Sequence, residues 1–85
     1  MTFKVIYARS VKKDIDKIHS KYARKIKSEI EKLNNFPDGI DIKKLTAHFF
    51  ANFRLRIGDY RVLFDVDWDK KEIIVLKIGH RKGIY

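Results

Sequence analysis

No cysteine occurs among the 85 residues, so neither disulfides nor thiolate metal sites contribute to this fold. Proline occurs once and glycine four times, too few for a flexible linker or a low-complexity tract. No apolar run approaches the ~20 residues of a membrane span, and no leader pattern precedes the first apolar segment. The expectation is a cytoplasmic protein with no membrane association. Familiar catalytic signatures are missing too: there is no glycine-rich phosphate loop and no helical histidine pair. His19, His48 and His80 are too scattered for a metal site, so neither metal nor cofactor is expected. His19 reads as a surface residue and His48 as a structural loop residue. Ser10, Ser20 and Ser28 have no base at a recognisable spacing, and Ser10 and Ser20 read as helix caps.

Acidic residues are the scarce charge, 11 against 20 lysines and arginines, for a net charge of +9. Such a balance suits a polyanion or an acidic protein partner. Hydrophobic content of 45% describes a folded chain. Residues 1–85 form one domain, small enough to bury only about 60–65% of its unfolded surface.

Thr2 to Tyr7, with its β-branched and aromatic residues, predicts a strand. Val11, Ile15, Ile18, Tyr22, Ile26, Ile30 and Leu33 then recur every three or four residues, one apolar stripe of a helix. A break at His19-Ser20 divides it into a helical hairpin, and Pro37 with Gly39 ends the second helix. A short strand is expected around Ile42–Leu45. The Gly58-Asp59 turn joins the strand Phe53–Ile57 to one over Tyr60–Trp68. After a second turn at residues 67–71, the nearly unbroken apolar run Ile73–Ile78 reads as a central strand. The order β-α-α-β-β-β-β predicts an α+β fold, an antiparallel sheet of four to five strands with the helical hairpin on one face.

Alternation puts Phe53, Leu55 and Ile57 under the helices and turns Arg54 and Arg56 to the open side. On the returning strand Val62, Phe64, Val66 and Trp68 share the covered face with Tyr60, and Arg61 opens the other. Arg81 follows at the end of the sheet in the basic stretch Gly79–Tyr85. Arginine's planar fork binds phosphate bidentately, and several forks on one phosphate can stabilise a pentacoordinate transition state. On RNA the 2′-OH is a built-in nucleophile, and an aromatic ring such as Tyr85 can hold an unstacked base. Each arginine taken singly is better explained by a solvated strand face. Spacing alone favours binding over catalysis.

Four segments in combination, SVKKDIDKI, NNFP, FRLRIGDYRVLFDVD and IVLKIGHRKGIY, resemble the RelE/ParE superfamily of toxins from bacterial and archaeal toxin–antitoxin pairs. The resemblance covers essentially the whole chain. It implies a metal-independent endoribonuclease acting on mRNA in the ribosomal A site. Arg61 would stabilise the scissile phosphate, Arg81 would assist the leaving oxygen and Tyr85 would stack on or orient the substrate. Arg54 and Arg56 would hold the RNA backbone, with Lys77, His80 and Lys82 as further contacts. A cognate antitoxin, a helical segment wrapping the toxin, is the implied protein partner.

Two departures from the family pattern stand out. Some relatives carry lysine on the central strand, whereas arginine, with a pKa above ~12, is a poor proton acceptor. The base is then Tyr85, His80, a ribosomal group or no assigned residue. Strict alternation groups His80 with Leu76 and Ile78 and opposite Arg81. The chain also ends at Tyr85, whose α-carboxylate is expected to offset part of the positive field. Two alternatives stay open: a ParE-like inhibitor of DNA gyrase, which shares the fold, and a non-catalytic RNA- or antitoxin-binding relic.

Overall fold

The computed structural model describes residues 2–38, 41–46 and 51–84. Strand β1 (Lys4–Tyr7) leads to α1 (Arg9–Asp16), α2 (Ser20–Glu31) and a 3-10 helix (Lys32–Asn35). Strands β2 (Ile42–Lys44), β3 (Phe53–Ile57), β4 (Tyr60–Asp67) and β5 (Glu72–His80) follow. They build one five-stranded sheet in the order β1-β5-β4-β3-β2. Gly39, His48 and Tyr85, read from sequence as a turn residue, a structural loop residue and the site's aromatic, lie outside the described residues.

The α+β class and the order of elements are as expected, but the sheet is mixed. Strand β1 pairs parallel to β5, Lys4 opposite Glu72 through Tyr7 opposite Val75, while the other pairings are antiparallel. The direction follows from counting reversals. Strands β2 to β5 alternate in direction, and the two helices between β1 and β2 return the chain so that β5 runs in the same sense as β1.

Two expected caps are placed differently. Ser10 lies inside α1, whose N-cap is the extended Ala8; its hydroxyl donates to the Leu76 carbonyl at 3.4 Å. At α2 the cap is His19 rather than Ser20: its Nδ1 accepts the Lys21 N–H at 3.2 Å. His19 is therefore a cap and not merely a surface residue. The helix break itself falls where the sequence put it.

The apolar stripe lies under the sheet. Val11, Ile26, Ile30 and Leu33 pack on Leu55, Ile57, Val62, Phe64, Ile73, Val75 and Ile78. Burying each such side chain contributes about 1.5–3 kcal/mol. Phe36, at the end of the helical segment, meets Phe3, Phe53 and Phe64 edge-on at 5.2–5.9 Å. Trp68 lies beyond the end of β4, half-exposed, and closes over Phe3 and Phe36.

Strand β5 breaks alternation. Leu63 pairs with Lys77 but Phe64 with Val75, so Leu76 is an extra residue in a β-bulge. Leu76 and Lys77 therefore both face away from the helices, and Ile78 returns to the core. The bulge sits where β1 stops pairing. Beyond Val75, the Ile78 N–H donates to the Asp14 carboxylate at 3.0 Å, so α1 supplies the acceptor that a longer β1 would have provided.

The face away from the helices is not fully open, contrary to the simple alternation reading. Leu63, Ala51 and Ile84 are buried there in a second apolar cluster, with Leu45 and Leu76 against it. Ile84 packs directly over Gly79, where a Cβ would lie 3.4 Å from its Cβ and Cδ1. The C-terminal turn is thereby folded back onto the sheet.

Candidate nucleic-acid interface

Cross-strand partners project to the same face, so register decides which cations meet. Lys43 lies opposite Arg54, Arg54 opposite Leu63, and Leu63 opposite Lys77. One residue pair along, Arg56 lies opposite Arg61, which lies opposite Gly79. Arg54, Arg56, Arg61 and Lys77 are thus brought to one face. Lys43 joins them and was missed. The Lys43-Lys44 doublet gives no sign of which lysine faces out until β2 has a register.

The guanidinium of Arg61 is held at the end of the β3–β4 hairpin. Its Nη1 donates to the Gly58 carbonyl at 2.8 Å and to the Tyr60 carbonyl at 3.0 Å. Gly58 has φ +56°, the left-handed geometry for which glycine is suited. One nitrogen is thereby committed to the turn, while Nη2 and Nε keep their donors. Arg81 meets the same turn: its N–H donates to the Asp59 carbonyl at 2.8 Å, and its Nε lies 3.4 Å from the Asp59 carboxylate. Arg61 and Arg81 therefore converge on Gly58-Asp59 although 20 residues apart.

Arg56 pairs with Asp41 at 2.7 Å, whereas Arg54 has no ion pair or hydrogen bond among the described residues. Both aspartate pairs are largely exposed. Such pairs are worth only about 0–1 kcal/mol, so a phosphate can replace the carboxylate at little cost. The face therefore combines two arginines with exchangeable partners, one without a partner and one fixed to a turn.

His80 departs from the alternation reading. Because of the bulge it faces the helix side, opposite Tyr60, with the rings 5.8 Å apart edge-to-face. It shares that side with Ile78 but not with Leu76. Its Nδ1 accepts the Lys82 N–H at 3.2 Å, so the neutral ring carries its proton on Nε2. In that form His80 is a hydrogen-bond donor with no vacant nitrogen to serve as base. Lys82 is exposed in the turn after β5, and its main chain orients His80. Tyr85 lies outside the described residues. Among those residues, no helix is long and apolar enough to cross a membrane, and no cluster of three or more His, Cys, Asp or Glu side chains is placed to hold a metal.

Comparison with known proteins supplies the family. Residues 5–85 match the family described as the ParE toxin of type II toxin–antitoxin systems, parDE. A protein named as a RelE1 toxin from Methanocaldococcus jannaschii is 42% identical over 55 residues, 64% of this chain and 60% of that protein. The chain thus spans less than two thirds of that relative. Among solved structures, the archaeal RelE–RelB complex from Pyrococcus horikoshii OT3 contains a chain 28% identical, with TM-score 0.78 over 99% of this chain and all of that one. The RelBE2 toxin–antitoxin complex of Mycobacterium tuberculosis matches with TM-score 0.83 over 95% of this chain and all of its counterpart, at 21% identity, a likeness of fold. Because the family match takes in nearly every residue from β1 to the last, the chain belongs to the RelE/ParE superfamily and is a toxin of the type II toxin–antitoxin class.

Proposed function

We propose that this toxin is an RNA-cleaving enzyme acting on mRNA at the ribosome, and that its basic face binds the substrate. The observation that carries this reading is the convergence of Arg61 and Arg81 on the Gly58-Asp59 turn, next to the cationic row of Lys43, Arg54 and Arg56. The row holds the backbone at successive phosphates, and the converged pair engages the scissile one. The 2′-oxygen attacks phosphorus as its proton leaves, and the P–O5′ bond breaks as the 5′-oxygen gains a proton. A 2′,3′-cyclic phosphate and a 5′-hydroxyl result. Arg61 stabilises the added charge on the phosphorane through Nη2 and Nε, and Arg81 supports the departing oxygen. The proton acceptor is not His80, whose Nδ1 is engaged; Tyr85 or a ribosomal group takes that part. The protein partner is a cognate antitoxin, a reading supported by the RelE–RelB complex among the similar structures; an acidic or amphipathic segment of it would suit this basic face.

The test is induced expression with primer extension on a reporter mRNA, comparing wild type with Arg61→Ala and Arg81→Ala. New mRNA ends that vanish in both variants are expected. Arg81 is exposed, so its substitution keeps the fold. Arg61→Ala also removes two hydrogen bonds to the turn, and circular dichroism controls for that loss. The family's ParE description favours one second reading, inhibition of DNA gyrase. Growth arrest with DNA damage and no new mRNA ends would establish it instead.

A further inference from the structure

On the helix side of the Gly58-Asp59 turn lies a cleft of about 490 Å³ that the basic face does not include. Its floor is Ile26 and Ile57, and its walls carry Lys21, Tyr22, Lys25, Tyr60 and His80. The volume falls in the range of small-ligand sites, about 300–1,000 Å³. Aromatic rings run across it in sequence: Tyr22 to Tyr60 at 6.1 Å and 38°, then Tyr60 to His80 at 5.8 Å and 79°. Tyr22 is 50% exposed, one of few large apolar side chains left so open among the described residues. A lone exposed tyrosine needs no explanation. Here, though, it stands over an apolar floor between lysines one turn apart, beside a ring whose Nε2 is a fixed donor.

We infer that this cleft is a nucleobase site that takes an unstacked base of the same RNA. The inference rests on the RNA-cleaving reading above and adds a substrate-binding subsite to it. The base stacks on Tyr22 over the apolar floor, His80 Nε2–H donates to an acceptor on its edge, and Lys21 and Lys25 meet the adjoining phosphate. The connection to the basic face is short. Gly58 lines the cleft and accepts from Arg61, and Asp59 lines it and pairs with Arg81. A strand whose phosphate lies between Arg61 and Arg81 therefore needs only to round the hairpin tip for a neighbouring base to enter. Arginine and lysine alone would bind backbone without regard to base; the aromatic cleft supplies a contact that requires one.

The experiment measures anisotropy of a labelled 2′-O-methyl hexa-adenylate, whose blocked 2′-oxygen prevents cleavage, and of an abasic strand of equal length. Tyr22→Ala is expected to weaken hexa-adenylate binding roughly 5- to 150-fold, the range of one base–aromatic stack. Tyr22→Phe should stay within about twofold, since stacking uses the ring and not the hydroxyl. The abasic strand should bind wild type and Tyr22→Ala alike. Unchanged binding by Tyr22→Ala, with loss in Arg61→Ala, overturns the cleft and leaves the RNA reading standing. Equal losses on both strands overturn it too, because Tyr22 then acts without a base. If Tyr22→Ala spares RNA but weakens an acidic peptide, the cleft belongs to a protein partner and the proposal falls. A wild-type protein that binds neither strand overturns the RNA reading and the cleft together.

Discussion

Ile84→Ala should release the C-terminal turn without unfolding the domain. Ile84 is 3% exposed and packs in the small cluster with Leu63 and Ala51, apart from the main core. The substitution removes three carbons, and at about 0.8 kcal/mol per buried CH₂ the lost transfer energy is roughly 2.4 kcal/mol. No cavity cost is added, because an exposed turn packed on a small separate cluster can close or lift rather than leave a void. At about 1.4 kcal/mol per tenfold, docking of the turn weakens roughly 50-fold. The loss is local, so amide exchange is the measurement. The N–H of Arg81, donated to Asp59, and that of Gly83, donated to His80, should lose protection by up to about 50-fold, while the urea midpoint moves far less than for a core truncation such as Phe64→Ala, worth about 3–5 kcal/mol. The RNA cleavage proposed above should fall with the docking, since Arg81 sits on the released turn. Gly79→Ala should act in the same direction by crowding Ile84, and should cost less in the Ile84→Ala background, because the two share one contact. Unchanged exchange at Arg81 and Gly83 would refute the argument that Ile84 anchors the turn.

Two other perturbations test the scaffold. Asp14→Ala leaves the Ile78 N–H at the bulge without its acceptor and should cost about 1–3 kcal/mol in urea unfolding; a loss under about 0.5 kcal/mol would mean that solvent replaces the carboxylate. Tyr7 has its pKa raised above the ordinary 10.0, first by burial and then by the charge of Glu31. The folded state thus holds the phenol proton more tightly than the unfolded chain does, so this contribution is intact below pH 10 and is lost as pH rises through the folded pKa. Tyr7→Phe should flatten the alkaline limb of the stability profile, and an unaltered limb in denaturant titrations between pH 9 and about 11.5 would exclude the linkage.

Much of the architecture was legible because it rests on local periodicity. The stripe from Val11 to Leu33, the break at His19-Ser20 and the Gly58-Asp59 turn each leave a pattern within a few residues. The arginines could be read in the same way, since Arg54, Arg56 and Arg61 alternate with core residues on strands of correct length. What misled was alternation carried past its range. It grouped His80 with Leu76 because nothing in IVLKIGH marks a bulge. The cause of that bulge is tertiary: β1 ends, and Asp14, 64 residues earlier, takes the Ile78 N–H. Ser10 likewise looked like a cap because it precedes the helical stripe, yet the helix starts earlier, at Arg9.

The sequence alone therefore determined the α+β class, the two helices with their break, the positive charge and the arginines that carry it, because each depends on residue type and spacing along the chain. The tertiary structure decided which charges become neighbours. Register put Lys43 beside Arg54, the bulge turned Lys77 away from the helices and His80 to the helix side, and Ile84 over Gly79 folded the C-terminal turn onto the sheet. Those outcomes depend on contacts between residues far apart in sequence, where a one-residue shift moves a side chain to the opposite face.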